Sequence, residues 1–207
     1  NFNQDLNSWV TSSATTMNIM FDGATSFDGN ITNWDLSNVN TTEAMFRNAQ
    51  SFDQDISGWN TSSVNNIKEM FKNADTFNQD IGGWDISNVN SLLSVFNGAD
   101  KFNQDLNNWN TLGVNNMNST FKDSGFNHDI SNWNTSSVET FHRMFEGAST
   151  FNQNLNSWDT GSAINMDGMF YRASDFDGDI SSWDVSKVTN MKNLFLRAFS
   201  FNQDIGG

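Results

Sequence analysis

Seven aspartates recur at one fixed place along this chain: Asp5, Asp55, Asp80, Asp105, Asp129, Asp179 and Asp204, with Asn30 and Asn154 filling the two gaps. A regular column of carboxylates has two chemical uses. It can hold a hard cation such as calcium through carboxylate and carbonyl oxygens, or each carboxylate can accept backbone N–H bonds in a tight turn, as Asp and Asn commonly do. Stacked about 5 Å apart, as neighbouring strands are, such charges repel by roughly 1 kcal/mol per pair even in water, so something must offset them. No glycine-rich D-x-D-x-[DN]-G loop of the kind that wraps calcium is present. The column therefore reads first as a set of turn caps and second as a candidate calcium ladder, two roles that do not exclude each other, and apart from calcium no cofactor is implied.

A second polar column consists of Asp35, Asn60, Asp85, Asn110, Asn134, Asp159 and Asp184, with Val10 as its first member. Each follows a tryptophan and precedes a mostly Thr, Leu, Ile or Val position. With the small Ser, Asn and Gly residues two places earlier, it would form a flat polar strip open to an extended protein or glycan ligand. The competing reading is a merely solvated face.

Both columns are set by a repeat. Phenylalanines open successive units at Phe2, Phe27, Phe52, Phe77, Phe102, Phe126, Phe151, Phe176 and Phe201, and a tryptophan follows each of the first eight by seven residues, from Trp9 to Trp183. The period is 25 residues, with one step of 24 between Phe102 and Phe126. Such a period marks a repeat array whose units bury their apolar faces against one another. Counting the opening Phe as position zero, the first column stands at position three and the second at position eight. In the unit Phe52–Thr76, Val64, Ile67, Met70, Phe71 and Ala74 are spaced three, three, one and three, which predicts two to three helical turns. Ile56, Trp59 and Thr61 follow the L-x-x-L-x-L spacing, which predicts a very short strand with positions seven and nine inward and eight outward. The expected fold is an α/β, right-handed leucine-rich-repeat-like solenoid of eight coils with short parallel strands and short helices. It would form one repeat domain over 1–207. Neither end offers a polar cap, so the chain is expected to be a segment of a longer tandem array, with export signal and anchor elsewhere.

The string F-N-Q-D-[IL]-x-x-W-[DN]-x-S-x-V-x-x-M-x-x-M-F-x-x-A, present eight times with variations, resembles the BspA-like leucine-rich-repeat surface proteins, including their mycoplasma-type lipoprotein branch. That resemblance implies a secreted or surface-attached, extracellular protein associated with adhesion. It carries over no catalytic residues.

Composition narrows the field further. The 207 residues hold 24 acids against 10 Lys and Arg, a net charge of −14, and no cysteine. Fourteen of the acids fall at positions one to eight, where there is no Lys or Arg, while eight basic residues, Arg47 and Lys72 among them, fall at positions sixteen to twenty-one. An acidic side without a basic footprint disfavours nucleic acid as a partner. No apolar run of about 18 residues occurs, so direct membrane insertion of this segment is not expected. Neither His128 nor His142 stands in a nucleophile arrangement, and the P-loop, H-E-x-x-H and G-x-S-x-G strings are absent. The chain reads as a non-enzyme: a surface adhesion or binding module, with a structural stalk that self-associates end to end as the main alternative. Ice binding is a third reading, disfavoured because the outward column is Asp and Asn and the threonines at position nine point inward. Five N-x-[ST] tripeptides, beginning at Asn30, Asn40, Asn60, Asn118 and Asn134, follow from composition alone.

Overall fold

A computed structural model describes residues 2–206. Each 25-residue unit forms one layer that stacks on the next, as the backbone contacts show. Six isolated parallel bridges join position fourteen of successive layers, from Thr16↔Thr41 to Asn165↔Asn190. Among the described residues there is no helix and no strand beyond these bridges. The expected α/β leucine-rich-repeat architecture, with its short helices and short strands, is therefore replaced by layers made of turns.

The helix fails at two positions. Position seventeen has positive φ in all eight layers (Ile19, Ala44, Glu69, Ser94, Ser119, Arg143, Gly168 and Asn193), and so does position twenty-one (Gly23, Asn48, Asn73, Gly98, Asp123, Gly147, Arg172 and Arg197). A left-handed residue every fourth place is incompatible with a right-handed helix. Instead the segment closes four-residue turns, such as Met45 N to Thr42 O and Ala49 N to Phe46 O. A positive φ at the third residue of such a turn fits type II. Between the turns, alternate N–H groups at positions fifteen, seventeen, nineteen and twenty-one reach the next layer, as in Ala44 N to Lys68 O, Phe46 N to Met70 O and Asn48 N to Lys72 O, all 2.8–2.9 Å. The backbone thus finds its obligatory partners between layers rather than along a helix.

The expected strand is also a turn. Position nine opens a turn that closes at position twelve, as in Val64 N to Thr61 O at 2.8 Å. The inward and outward assignment nevertheless holds. Trp59 and Thr61 are buried, and Asn60 between them is exposed. Buried threonine hydroxyls at position nine donate to the next layer, Thr61 Oγ1 to Asp85 O and Thr135 Oγ1 to Asp159 O among them. Burying these hydroxyls costs little because each is bonded.

Inside, identical residues stack on themselves. Position-zero phenylalanine rings lie 5.6–6.3 Å apart from layer to layer. Each also packs 3.8–4.1 Å from the position-nineteen ring that precedes it, as Phe46 does on Phe52. From Trp34 to Trp183, every indole Nε1–H donates to the position-four carbonyl of the preceding layer at 2.9–3.3 Å. The tryptophan column therefore supplies both apolar area and an inter-layer hydrogen bond. The short fifth layer is absorbed at Gly125, where an added Cβ would come within 2.3 Å of Asp100 O. Phe126 still stacks on both neighbours, at 6.3 Å.

Candidate functional site

Three caps per layer fix the outer corners. At position three, the side-chain oxygen accepts the N–H two residues on in all nine cases, from Asp5 to Asn7 N at 2.8 Å through to Asp204 and Gly206 N at 3.0 Å. Asp55, Asp80, Asp105, Asp129 and Asp179 bond Ser57, Gly82, Asn107, Ser131 and Ser181 in this way. Position eight repeats the device: Asp35, Asn60, Asp85, Asn110, Asn134, Asp159 and Asp184 each accept from the residue two places on. Position fourteen repeats it a third time with Thr, Ser or Asn, from Thr16 to Asn190. In layers two to eight a four-residue turn opens at the next residue, as in Ile56–Trp59, Thr61–Val64 and Thr42–Met45. The position-fourteen caps lie in the segment whose spacing predicted a helix.

Hydrogen bonding of this kind favours the ionised carboxylate. Asp55 and Asp85 are held below the ordinary value of 3.8 by the hydroxyl and the backbone N–H of the serine two residues on. Asp35 and Asp179 are lowered by the same two groups, with the backbone N–H the larger influence. A fourth set of side chains works between layers. At position one, Asn or Asp accepts the position-one N–H of the following layer, in an unbroken row from Asn3–Asp28 to Asp177–Asn202. Where position two is Gln it leans back onto that row, as Gln153 Nε2 does on Asn127 O and Oδ1 at 2.9 Å.

These commitments account for one oxygen of each position-three carboxylate as a cap. Among the described residues, no three carboxylate, imidazole or thiol groups converge on a point that could hold a metal ion. Position eight is exposed in every layer, Asp35 to Asp184 included, and each of these residues stands at the corner before a turn rather than within a strand.

The concave surface lies beside position three. One cleft of about 670 Å3 between layers six and seven is lined by Asp129, Ser131, Gln153, Asn154, Asn156 and Ser157. A second, of about 390 Å3, lies between layers four and five, with Asp80, Gly82, Gly83, Asp105 and Asn108 on its walls. A third, of about 490 Å3, lies between layers eight and nine, at Asp179, Ser181, Gln203, Asp204 and Gly206. All three gather at positions two to seven, and Trp84 is the one large apolar residue among their walls.

Positions sixteen to twenty-one carry most of the cations. Arg47 Nε and Nη1 donate to Asp22 Oδ1 at 3.0 Å and Glu69 Oε2 at 2.7 Å, so one guanidinium ties three layers together. That guanidinium holds Asp22 low. Burial pushes Glu69 up, yet hydrogen bonds from Arg47 and Lys72 outweigh it and the net shift is downward. Lys122 pairs with Glu146 at 2.8 Å in the same region two layers further on. His142 is lowered by burial and by Arg143, with Asp167 opposing. Its Nε2 stands 3.8 Å from Asp167 Oδ2. Among the described residues no helix is long and apolar enough to cross a membrane.

A family model described as "Mycoplasma protein of unknown function, DUF285" matches residues 1–108 and again 90–207. The chain belongs to that family. No curated protein and no solved structure matches it.

Proposed function

We propose that this chain is a non-enzymatic binding module of an extracellular, cell-surface protein, which uses its acidic, repeated polar side for adhesion to a protein or glycan. The observation that carries the reading is the recurrence of one polar cleft at the same unit positions in three places. Repetition of a shallow site favours many weak contacts over one deep pocket, and that suits multivalent attachment. The resemblance to BspA-like surface proteins and the high negative charge point the same way. The shallow hollows beside position three join the position-eight column, Asp35 to Asp184, as candidate contact surfaces.

The test is capture of the purified chain on immobilised extracellular-matrix proteins and on a panel of neutral and charged glycans. Saturable binding that weakens when Asp80, Asp105 and Asp129 are all changed to Asn supports the module. Those replacements keep the turn cap, as Asn30 and Asn154 already do. A panel without saturable binding, from a chain that melts cooperatively, overturns it.

A further inference from the structure

We propose that the outer face of layer eight receives the outer face of layer one from a second copy of this chain, so that copies stack head to tail in one direction. Stacking of this kind is independent of what the polar side binds.

The two faces match in hydrogen-bond register. In layers one to seven, the N–H groups at positions seventeen, nineteen and twenty-one donate to the layer that follows, as in Gly168 N to Lys192 O, Phe170 N to Leu194 O and Arg172 N to Leu196 O. Among the described residues, the N–H groups of Asn193, Phe195 and Arg197, at the same positions of layer eight, have no acceptor. The complementary carbonyls lie at the other end. Asn18, Met20 and Asp22 O, at positions sixteen, eighteen and twenty, receive no backbone N–H there, whereas their counterparts in layers two to eight all do. The tryptophan column repeats the match: every indole from Trp34 to Trp183 donates to the position-four carbonyl of the preceding layer. Trp9 Nε1 has no such acceptor among the described residues, and Ile180 O receives no indole. A row of unpaired backbone groups is a template for another chain, and the contact that satisfies this one already occurs between each pair of layers within the molecule.

Apolar area and charge favour the same pairing. Trp9 is 52% exposed where Trp34 is 3%, and Met20 is 40% exposed where Met45 is 0%. A hollow of about 410 Å3 beside Phe2, Trp9 and Met20 marks the layer-one face, and one of about 240 Å3 beside Trp183, Met191 and Phe195 marks the layer-eight face. Residues 185–200 carry Lys187, Lys192 and Arg197 and no acid, while residues 10–26 carry Asp22 and no Lys or Arg. Two layer-eight faces therefore repel each other, and a layer-eight face accepts a layer-one face.

Positions zero to five of layer eight are already covered by residues 201–206, where Phe201 lies 5.7 Å from Phe176 and 4.1 Å from Phe195. Their sequence, Phe-Asn-Gln-Asp-Ile-Gly, nearly repeats the Phe-Asn-Gln-Asp-Leu-Asn of residues 2–7. In the stack, residues 2–7 of the second copy take that place and residues 201–206 are released. The exchange is like for like, so covering the remaining positions is net gain. A head-to-tail contact leaves one face open at each end, and copies continue to add.

The experiment is sedimentation velocity of the full chain from low to high micromolar concentration at fixed ionic strength. Trp9→Lys blocks the layer-one face and Met191→Lys the layer-eight face, at side chains that are 52% and 38% exposed. The parent should form species that grow with concentration. Each variant alone should associate at least about tenfold more weakly, because stacking would bury an unpaired charge. An equal mixture of the two should form a one-to-one dimer and stop, since each variant keeps the face that the other has lost. Phe201→Ala should strengthen association at least about tenfold by weakening the segment that must be displaced. A parent that stays monomeric, a variant that assembles as the parent does, or a mixture that fails to dimerise overturns the proposal. A dimer formed by one variant alone also overturns it, because that contact joins two like faces. Weakened assembly in Phe201→Ala overturns the exchange. If either lysine variant loses its cooperative melt, Met20→Lys and Val185→Lys block the same two faces and are read in the same way.

Discussion

Arg172 distinguishes a turn-built layer from a helical one by the sign of a stability difference. It sits at position twenty-one with φ of 62°, exposed, and its N–H donates to Leu196 O at 3.0 Å. Gly23, Gly98 and Gly147 fill the same place in other layers, so the backbone there accepts glycine. Consider the pair Arg172→Gly and Arg172→Ala. Both lose the guanidinium, including its 5.0 Å contact with the Tyr171 ring, and that loss cancels in the comparison. Alanine in the left-handed region costs about 1–2 kcal/mol. Glycine carries an entropic penalty of roughly 0.5–1 kcal/mol relative to alanine. The Gly variant should therefore be the more stable by about 0.5–1 kcal/mol. In a helix interior the order reverses, with Ala ahead by about 0.8–1 kcal/mol. Urea unfolding with an unchanged slope reads the difference directly. An Ala variant more stable than the Gly variant would refute the turn assignment at this position.

Other expectations follow from the same contacts. Trp84→Ala removes a buried indole and should cost about 3–5 kcal/mol, whereas Trp84→Phe keeps most of the area and forfeits mainly the bond to Ile56 O, about 1 kcal/mol; equal midpoints for Trp84→Ala and the parent in denaturant would place the column outside. Asp55→Asn should leave the melting temperature nearly unchanged while Asp55→Ala loses about 0.5–1.5 kcal/mol with its cap, and melts in excess calcium and in chelator should coincide; a large calcium shift would restore the ion ladder. Acidification should destabilise the chain. Asp22, Glu69, Asp55 and Asp85 all lie below their ordinary values when folded, so their contribution is present above the unfolded value and is lost as pH falls through the folded ones. Asp123 runs the other way, raised by burial and by Glu146 and Asp100 against the pull of Lys122; it opposes folding as it ionises. Melting temperatures between neutral pH and pH 3 check the sum, and a chain equally stable across that range would contradict it.

Much of the layer was legible in the residues. The Phe and Trp columns had to be internal because nothing else could bury so much area at so regular a period, and the rings do stack layer on layer. Thr61 and its counterparts were readable as inward because they alternate with Asn60. The helix was a misreading of a real pattern: Val64, Ile67, Met70, Phe71 and Ala74 do share the inside, but consecutive four-residue turns return to the core every third or fourth residue just as a helix does. The contrary signal was present at position twenty-one, where Gly23, Asn48, Asn73, Gly98 and Gly147 are the residue types that tolerate positive φ. Position seventeen gave no such sign. Ile19 and Ala44 adopt the left-handed region there because the inter-layer hydrogen bonds over-determine the backbone.

For the site, residue type left the aspartates at position three with two roles, calcium ligand or turn cap, and the bonds to the N–H two residues on show the cap. The position-fourteen row of Thr, Ser and Asn announced the same role by spacing, since a turn closes four residues after it just as Ile56–Trp59 closes after Asp55. What spacing could not give was the clefts. They arise from how far apart side chains of adjacent layers stand, and from the small residues at positions five and six that leave room between them.

Far-UV circular dichroism of the purified chain tests the central structural claim most directly, because a layer of capped turns and a layer with two or three helical turns differ in their whole spectrum. The account predicts no helical double minimum at any temperature below a single cooperative melt. A spectrum with helix over a third of its residues would contradict it, and with it the placement of the clefts.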